Sequence, residues 1–271
     1  MKHNINIFCN NERVGIIEID LNSNNVELIY DENWKNIGFE LSPHLKFDKS
    51  IDSNSIKKFV NNLLPEGNGL DAISIILQIS KANKFGLLEA IGNETAGALT
   101  FSPDNIVVTN FREISNEELT ERIINKENIN ITLWDGKIRL SLSGVQDKLP
   151  LVVLNDNKYG IGEGKIASTH ILKFEKKDDI HLVLNEYFCM KLAKLCGLNV
   201  AEVEIRKFGT QNVLFVKRFD REFFEIDDKS FEISKRHIID GCQLLNLDVN
   251  MKYEKVYTDY RGNANFKNLF E

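Results

Sequence analysis

The chain has 271 residues, of which 42% are hydrophobic and 27% are charged, so its composition is that of a folded globular protein and excludes general disorder. Its 34 basic and 40 acidic side chains give a formal net charge of −6, which argues against a broad basic surface for direct nucleic-acid binding. The sequence shows no signal peptide and no apolar run near the ~18 residues of a membrane span, so we expect a cytoplasmic protein that does not enter a membrane.

The first hundred residues predict a small strand-and-helix domain. Residues 4–9, 12–20 and 25–30 are predicted as strands of an antiparallel meander, because asparagine-rich turns separate them. Further elements follow from apolar periodicity and from glycine and proline breaks: helices 54–64, 69–83 and 85–91, and a strand over 96–103. The sequence changes character after this strand, so we predict one domain over residues 1–104 and a second over residues 105–271.

The second domain begins with a helix and continues as a strand-rich unit. Ser115 and Glu118 form a capping-box pattern that predicts a helix to about residue 126. The next predicted elements are strands 137–142, 149–154, 158–161 and 168–174, a long helix 180–196, strands 200–207 and 212–219, a hairpin over 221–234 and a helix from about 237. A polar-loop hairpin, a strand with a lysine, a helix with a glutamate and two strands form the element order of a protein-kinase N-lobe.

Cysteines and histidines give no sign of a metal site. Cys9, Cys189, Cys196 and Cys242 form no C-x-x-C pair, and the five histidines lack metal-ligand spacing. Cys189 and Cys196 lie seven positions apart within the long predicted helix, so we expect them to be core residues on one face rather than a bridge. The apolar residues expected to line one face of that helix are Leu184, Tyr187, Phe188 and Leu195.

The stretch "RLSLSGVQDKLP" (139–150) is the first candidate for chemistry. The small residues Ser141, Ser143 and Gly144 would let backbone amides approach phosphate oxygens, and Lys148 adds a positive charge. The stretch fits neither the G-x-x-x-x-G-K-[ST] nor the G-x-G-x-x-G pattern. From the residues alone, a phosphate-binding loop and a plain hairpin turn therefore both remain open.

Two isolated charged residues and a charged strand end are further candidates for a nucleotide-binding site. Lys173 lies at the end of an apolar strand, and Glu186 lies on a mostly apolar helix, where an unpaired charge would be costly. A strand lysine and a following-helix glutamate are the pair that positions ATP phosphates in kinases, whereas a solvated lysine is the alternative. After the apolar run 213–216, the sequence "KRFDR" is interpreted either as an inter-lobe hinge or as a surface ion pair at a strand end.

Together these stretches are similar to a known family. In chain order, "SLSGVQDKLPLVV", "STHILKF", "NEYFCMKLAKLCGLNVAEVEI", "VLFVKRFDR" and "RHIIDGCQLL" resemble the HipA family of toxin serine/threonine kinases, and "FVNNLLPEG" and "GLLEAIGNETAGALTF" resemble the N-terminal subdomain of that family. The resemblance covers residues 1 to about 260. It implies an α+β fold in which an N-terminal strand/helix subdomain precedes a kinase-like N-lobe and a truncated start of the C-lobe.

The resemblance implies a role for each matching residue. Ser141 matches the autophosphorylated regulatory serine, and Ser143 completes an S-x-S arrangement in which both serines can be modified. Glu186 matches the helix partner of the ATP-orienting lysine. Lys217 replaces an acidic residue found at the hinge of some members, a change that would spare a backbone hydrogen bond. The implied ATP-binding set is Ser143, Gly144, Val145, Gln146, Asp147, Lys148, Lys173, Lys217 and Phe219.

The same resemblance implies ATP and Mg²⁺ as cofactors, a DNA-binding antitoxin of the HipB type as partner, and an aminoacyl-tRNA synthetase as protein substrate. The family's catalytic loop contains Asp-x-x-x-x-Asn, but no aspartate after Ser141 has an asparagine at the fifth following position. We therefore predict a truncated kinase with no catalytic residue or metal ligand in this chain, inactive by itself. The alternative is a non-catalytic interaction module that binds an antitoxin or a separate kinase lobe.

Overall fold

The computed structural model describes residues 1–105, 109–139, 148–155, 158–175, 181–227, 230–253 and 266–270. The fold is α+β, as predicted, and the chain forms two compact units. The first unit comprises Met1–Pro65, Leu70–Val107 and His237–Glu271, and the second comprises Glu66–Gly69 and Val108–Arg236. The division into domains 1–104 and 105–271 stays a prediction. In the part of the chain that the structure describes, no helix is long and apolar enough to cross a membrane.

The first unit contains the predicted meander. Strands β1 (Lys2–Cys9), β2 (Glu12–Asp20) and β3 (Asn25–Tyr30) pair antiparallel in sequence order. Asn10 and Asn24 lie in their turns with φ of 53° and 55°, a left-handed conformation that asparagine tolerates.

Helices follow the meander, and a fourth strand completes its sheet. These elements are α1 (Glu32–Ile37), α2 (Ser53–Leu63), α3 (Gly67–Leu77), α4 (Lys84–Ile91) and β4 (Leu99–Ser102), which pairs with β1. The short helix α1 was not predicted, because six residues are too few for a clear periodicity. The predicted helix 69–83 is wrong at its C-terminal end, since Gln78 takes a left-handed φ of 56°.

The second unit is built on a six-stranded antiparallel sheet. Its elements in chain order are β5 (Asn110–Ile114), α5 (Asn116–Ile124), β6 (Leu133–Trp134), β7 (Lys137–Ile138), β8 (Lys148–Asn155), β9 (Lys158–Glu163), β10 (His170–Phe174), α6 (Leu182–Leu195), β11 (Val203–Phe208), β12 (Gln211–Lys217), β13 (Arg221–Asp227) and β14 (Ser230–Lys235). The strand order in the large sheet is β11-β12-β10-β8-β9-β5, while β6 pairs with β7 and β13 with β14. Of the predicted strand 137–142, the structure describes residues 137–139. Only Lys137–Ile138, the short β7, form a strand there.

The large sheet packs a helix on each face. Side chains on one face, among them Phe174 and Phe215, form a buried core with Leu119 and Ile123 of α5. On the opposite face, Leu214 packs with α6. Because neighbouring residues of a strand point to opposite faces, this alternation also decides which side chains of β10 can meet α6.

Helix α6 buries only one narrow side. Val183 is fully buried, whereas Leu184, Phe188, Leu192 and Leu195 are exposed. The prediction that Cys189 and Cys196 are core residues is wrong: both are exposed free cysteines, because they lie outside the narrow buried stripe of α6.

The last described elements belong to the first unit. They are α7 (Gly241–Leu244), a 3₁₀ turn (Val249–Met251) and α8 (Phe266–Phe270). The helix predicted from about residue 237 begins at Gly241. The Asp240 side chain accepts a hydrogen bond from the Gln243 N–H, and Gln243 Oε1 accepts one from the Asp240 N–H, which together form a capping box.

Candidate functional site

Strand β10 and helix α6 bring Lys173 and Glu186 together. Lys173 Nζ lies 2.6 Å from Glu186 Oε1, and the two side chains are 24% and 29% exposed. Lys173 points toward α6 because its neighbours Leu172 and Phe174 fill the core on the other face of the sheet. A half-buried, charge-assisted hydrogen bond of this kind fixes the position of the ammonium group. The ATP-orienting role assigned to this pair from the sequence stays a prediction.

A second lysine lies beside the first. Lys148 begins β8 and is the direct cross-strand partner of Lys173, so both side chains leave the same face of the sheet. Lys148 is buried. Two lysines on one face place positive charge where an anion such as a phosphate group can accept hydrogen bonds. The donor set of this face therefore fits a phosphate group. The other predicted loop residues, Ser141, Ser143, Gly144, Val145, Gln146 and Asp147, lie outside the described residues.

The charged strand end after β12 is a buried ionic cluster. Asp220 Oδ2 lies 2.7 Å from Arg218 Nη2 and 2.6 Å from Arg221 Nη1, and all three side chains are almost completely buried. Arg218 also donates to Ser168 Oγ at 3.0 Å, and its backbone N–H donates to the Thr169 carbonyl. The interpretation as a surface ion pair is therefore wrong for Arg218, Asp220 and Arg221, and holds only for Lys217, which pairs with Glu202 in solvent. The only sign of this buried cluster in the sequence was a group of charged residues directly after an apolar strand.

The cluster holds an exposed aromatic ring between its members. Phe219 is 70% exposed although Arg218 and Asp220 on either side are buried. Lys217 is more than half exposed, forms an ion pair with Glu202 at 3.3 Å, and uses its backbone N–H to donate to the Glu202 carbonyl. The hinge role predicted for Lys217 and Phe219 stays a prediction. The buried residues on either side anchor the backbone from which the Phe219 ring projects.

His170 lies at the same end of the sheet. It is the cross-strand partner of Lys217, and both line a cavity of about 360 Å³ together with residues of α6 and β11. A ring nitrogen of His170 lies 2.9 Å from the Thr169 hydroxyl. Burial, reinforced by the positive charges of Arg206 and Lys217, lowers the pKa of His170 to about 4. The imidazole is therefore neutral at physiological pH.

Two family models match the chain. The HipA N-terminal domain matches residues 5–102, and the HipA-like C-terminal domain matches residues 140–270. The chain belongs to the HipA family. It is 40% identical over 265 residues to the serine/threonine-protein kinase toxin HipA of Shewanella oneidensis, across 95% of this chain and 60% of that protein. It is 29% identical to the putative kinase Y4mE of Sinorhizobium fredii, across 98% of this chain and 64% of that protein.

A solved structure agrees with this assignment. The HipA chain in the complex of Shewanella oneidensis HipA, HipB and operator DNA matches with a TM-score of 0.79 and 40% identity, over 94% of this chain and 59% of that one. This HipA-family chain thus spans about three fifths of the length of the relatives it matches. Of its predicted site residues, the structure describes Lys148, Lys173, Glu186, Lys217 and Phe219. Lys148, Lys173 and Glu186 are neighbours in β8, β10 and α6.

His170 gives this HipA-family chain a defined acid sensitivity. Its folded-state pKa lies below the ordinary value of 6.5, so the unfolded chain binds the extra proton first. The contribution of the neutral ring to stability is complete above pH 6.5 and is lost as the pH falls toward 4. It amounts to at most about 3–4 kcal/mol. We expect His170→Gln to flatten the dependence of the unfolding free energy on pH between 6.5 and 4 in urea titrations.

The matched control for this prediction is His181→Asn. His181 is an exposed histidine with a left-handed φ of 72°, which asparagine accepts. Comparison of the two variants shows whether a change in slope belongs to His170 or follows the loss of any histidine. An equal slope in the parent and in His170→Gln would contradict the assignment of a depressed pKa to His170.

Proposed function

We propose that this chain supplies the ATP-binding part of a HipA-type serine/threonine kinase toxin in a bacterial toxin–antitoxin system. The observation that carries the proposal is the Lys173–Glu186 ion pair at 2.6 Å, with Lys148 as the cross-strand neighbour of the lysine. Kinases use a strand lysine held by a helix glutamate to orient the phosphates of ATP. Family membership and local geometry support the same assignment.

In this proposal each part of the site has one task. Lys173, held by Glu186, orients the phosphates, and Lys148 adds positive charge on the same face. The stretch from Ser143 to Lys148 supplies the phosphate-binding loop, and the exposed Phe219 ring contacts the adenine. ATP supplies the phosphoryl group and Mg²⁺ neutralises its charge. Among the described residues no cluster of His, Cys, Asp or Glu could hold a metal ion, so we assign no Mg²⁺ ligand.

Ser141 and Ser143 are the proposed regulatory sites. A phosphate on either serine adds about −1.5 to −2 of charge. That charge would compete with the phosphates of ATP for Lys148 and Lys173, so phosphorylation is expected to weaken nucleotide binding.

The proposed partners follow from the relatives. The structure of Shewanella HipA contains HipB and operator DNA, and a HipB-type antitoxin is the partner we propose for this chain. A net charge of −6 favours contact with DNA through that antitoxin rather than direct binding. We propose an aminoacyl-tRNA synthetase as the protein substrate and the cytoplasm as the compartment.

Reaction with an ATP analogue tests the site directly. An acyl-phosphate derivative of ATP transfers its acyl group to lysines that lie at the nucleotide phosphates, and mass spectrometry locates the label. We expect label on Lys173 or Lys148 that excess ATP suppresses, and little label on the exposed Lys165. Uniform labelling of surface lysines that ATP does not suppress would overturn the proposal.

The 271 residues are expected to transfer no phosphate by themselves. Phosphoryl transfer needs an aspartate to orient the attacking hydroxyl and side chains to hold the metal, and no Asp-x-x-x-x-Asn follows Ser141 in this sequence. The check is incubation of the purified chain with radiolabelled ATP and Mg²⁺. Incorporation of label at Ser141 would refute this prediction.

A second candidate function is a non-catalytic interaction module. The exposed apolar residues of α6, Leu184, Phe188, Leu192 and Leu195, favour it, because exposed apolar patches often mark contact surfaces. Co-purification with the separately expressed antitoxin or kinase lobe distinguishes the two functions. Binding that survives Lys173→Ala but is lost in Phe188→Glu, in a chain that does not bind ATP, would favour the module.

A further inference from the structure

Strand β10 and helix α6 are joined by a second contact beside the Lys173–Glu186 pair. Glu175 directly follows β10, and its Oε1 accepts a hydrogen bond from the backbone N–H of Val183 at 3.2 Å. Glu175 lies two positions after Lys173, just beyond the strand, and its contact with Val183 shows that it faces the helix as Lys173 does. Val183 and Glu186 are three residues apart on α6 and share one side of it. The two contacts therefore hold the first turns of the helix at successive points.

The first turn of α6 depends on an acceptor from outside the helix. The first four N–H groups of a helix have no partner within it, and a Ser, Thr, Asp or Asn at the N-cap commonly supplies one. Here the N-cap is His181, which has a left-handed φ of 72° and whose side chain makes no capping hydrogen bond. Glu175 takes over this task, and its negative charge is favourable at the positive end of the helix dipole.

The capped group is deeply buried. Val183 is fully buried and packs with Val203 and Leu214, so loss of the acceptor would leave a buried N–H without a partner. Glu175 is itself tied to the core, since its backbone carbonyl accepts a hydrogen bond from Lys126 Nζ at 2.9 Å. Its Oε2 is buried and has no hydrogen-bond partner among the described residues. The hydrogen bond from the Val183 N–H to Oε1 therefore fixes the Glu175 carboxylate to the start of α6.

We propose that Glu175 is a positioning residue for the Lys173–Glu186 pair. By fixing the first turn of α6 against the end of β10, it sets Glu186 one turn further on within reach of Lys173. Its part in nucleotide binding rests on the proposed function, whereas the positioning of the pair does not. Nothing in the spacing of Glu175 and Val183, eight positions apart across a strand end and a helix start, predicts this contact from the sequence.

Chemical labelling of Lys173 tests the positioning without any nucleotide. A lysine held in an ion pair reacts slowly with an amine-acylating reagent, and its rate follows the population in which the pair is open. We expect Glu175→Ala to raise the labelling rate of Lys173 about fivefold, the size of effect that loss of a helix cap produces, with no change at the exposed Lys165. Glu175→Gln keeps an acceptor oxygen for the Val183 N–H and should stay within about twofold of the parent.

Two results would overturn the inference: an unchanged rate at Lys173 in Glu175→Ala, or an equal rise at the buried Lys235 of the same unit, which would mean general unfolding. ATP titrations then separate the inference from the proposed function. We expect Glu175→Ala to weaken ATP binding about fivefold in the parent and to cause no further loss in a Glu186→Gln background, where the pair is already broken. If the parent binds no ATP while Lys173 labelling responds as expected, the proposed function fails and the positioning role stands.

Discussion

Replacing Lys173 with alanine is expected to weaken ATP binding by at least about tenfold, the loss that removal of one charge-assisted hydrogen bond to phosphate produces. Two effects act in the same direction. The ammonium that meets the phosphates is lost, and Glu186, which lies 2.6 Å from it in the parent, keeps its negative charge beside the nucleotide. The measurement is the dissociation constant for ATP by calorimetry.

The matched controls separate charge from position. Lys165→Ala removes an exposed lysine of the same unit and should leave the dissociation constant unchanged. Glu186→Gln keeps the lysine but weakens its hold, so its effect should be smaller than that of Lys173→Ala. Because both partners are about one quarter exposed, we expect each variant to lose no more than about 1 kcal/mol of stability. Equal ATP affinities of the parent and Lys173→Ala would show that this lysine does not contact nucleotide.

The largest expected effect on stability belongs to Asp220. Its carboxylate contacts Arg218 and Arg221, and all three side chains are almost completely buried. Asp220→Ala leaves two buried guanidinium groups without their shared counter-charge, and breaking a buried pair in this way costs about 3–5 kcal/mol. We expect a large fall in the urea midpoint of the second unit.

An exposed carboxylate of the same unit provides the control. Glu225→Ala, on β13, should change the unfolding free energy by less than about 0.5 kcal/mol. Asp220→Asn should lie between the two, since an amide oxygen still accepts hydrogen bonds. A loss below about 1 kcal/mol in Asp220→Ala would mean that solvent reaches the arginines after the change, and the anchoring of Phe219 would need another explanation.

The sequence predicted those parts of the site whose positions follow from a strand and the helix next to it in the chain. A lysine at the end of an apolar strand and a glutamate on the next helix could be paired in advance, because the strand core fixes which face Lys173 leaves. The strand β5 and its pairing with β9 were not predicted, since pairing partners distant in the chain leave no local periodicity.

The features that the sequence did not predict all depend on contacts between residues that are not neighbours in the chain. Charges that follow a strand usually face water, so the burial of Asp220 between two arginines contradicted the expectation for a strand end. The cap that Glu175 provides comes from outside α6, whereas sequence signals for helix starts concern the residues next to the helix. The apolar residues of α6 were expected on one face, but only contacts in three dimensions decide which face is covered.

The most direct test of the central claim is an ATP titration of the purified 271-residue chain, with and without Mg²⁺, beside Lys173→Ala. We predict saturable but weak binding by the parent and a clear loss in the variant, because Lys173, held by Glu186, and Lys148 place two positive charges on one face of the sheet. No saturable binding by the parent under either condition would contradict the claim that this face of the sheet holds a nucleotide.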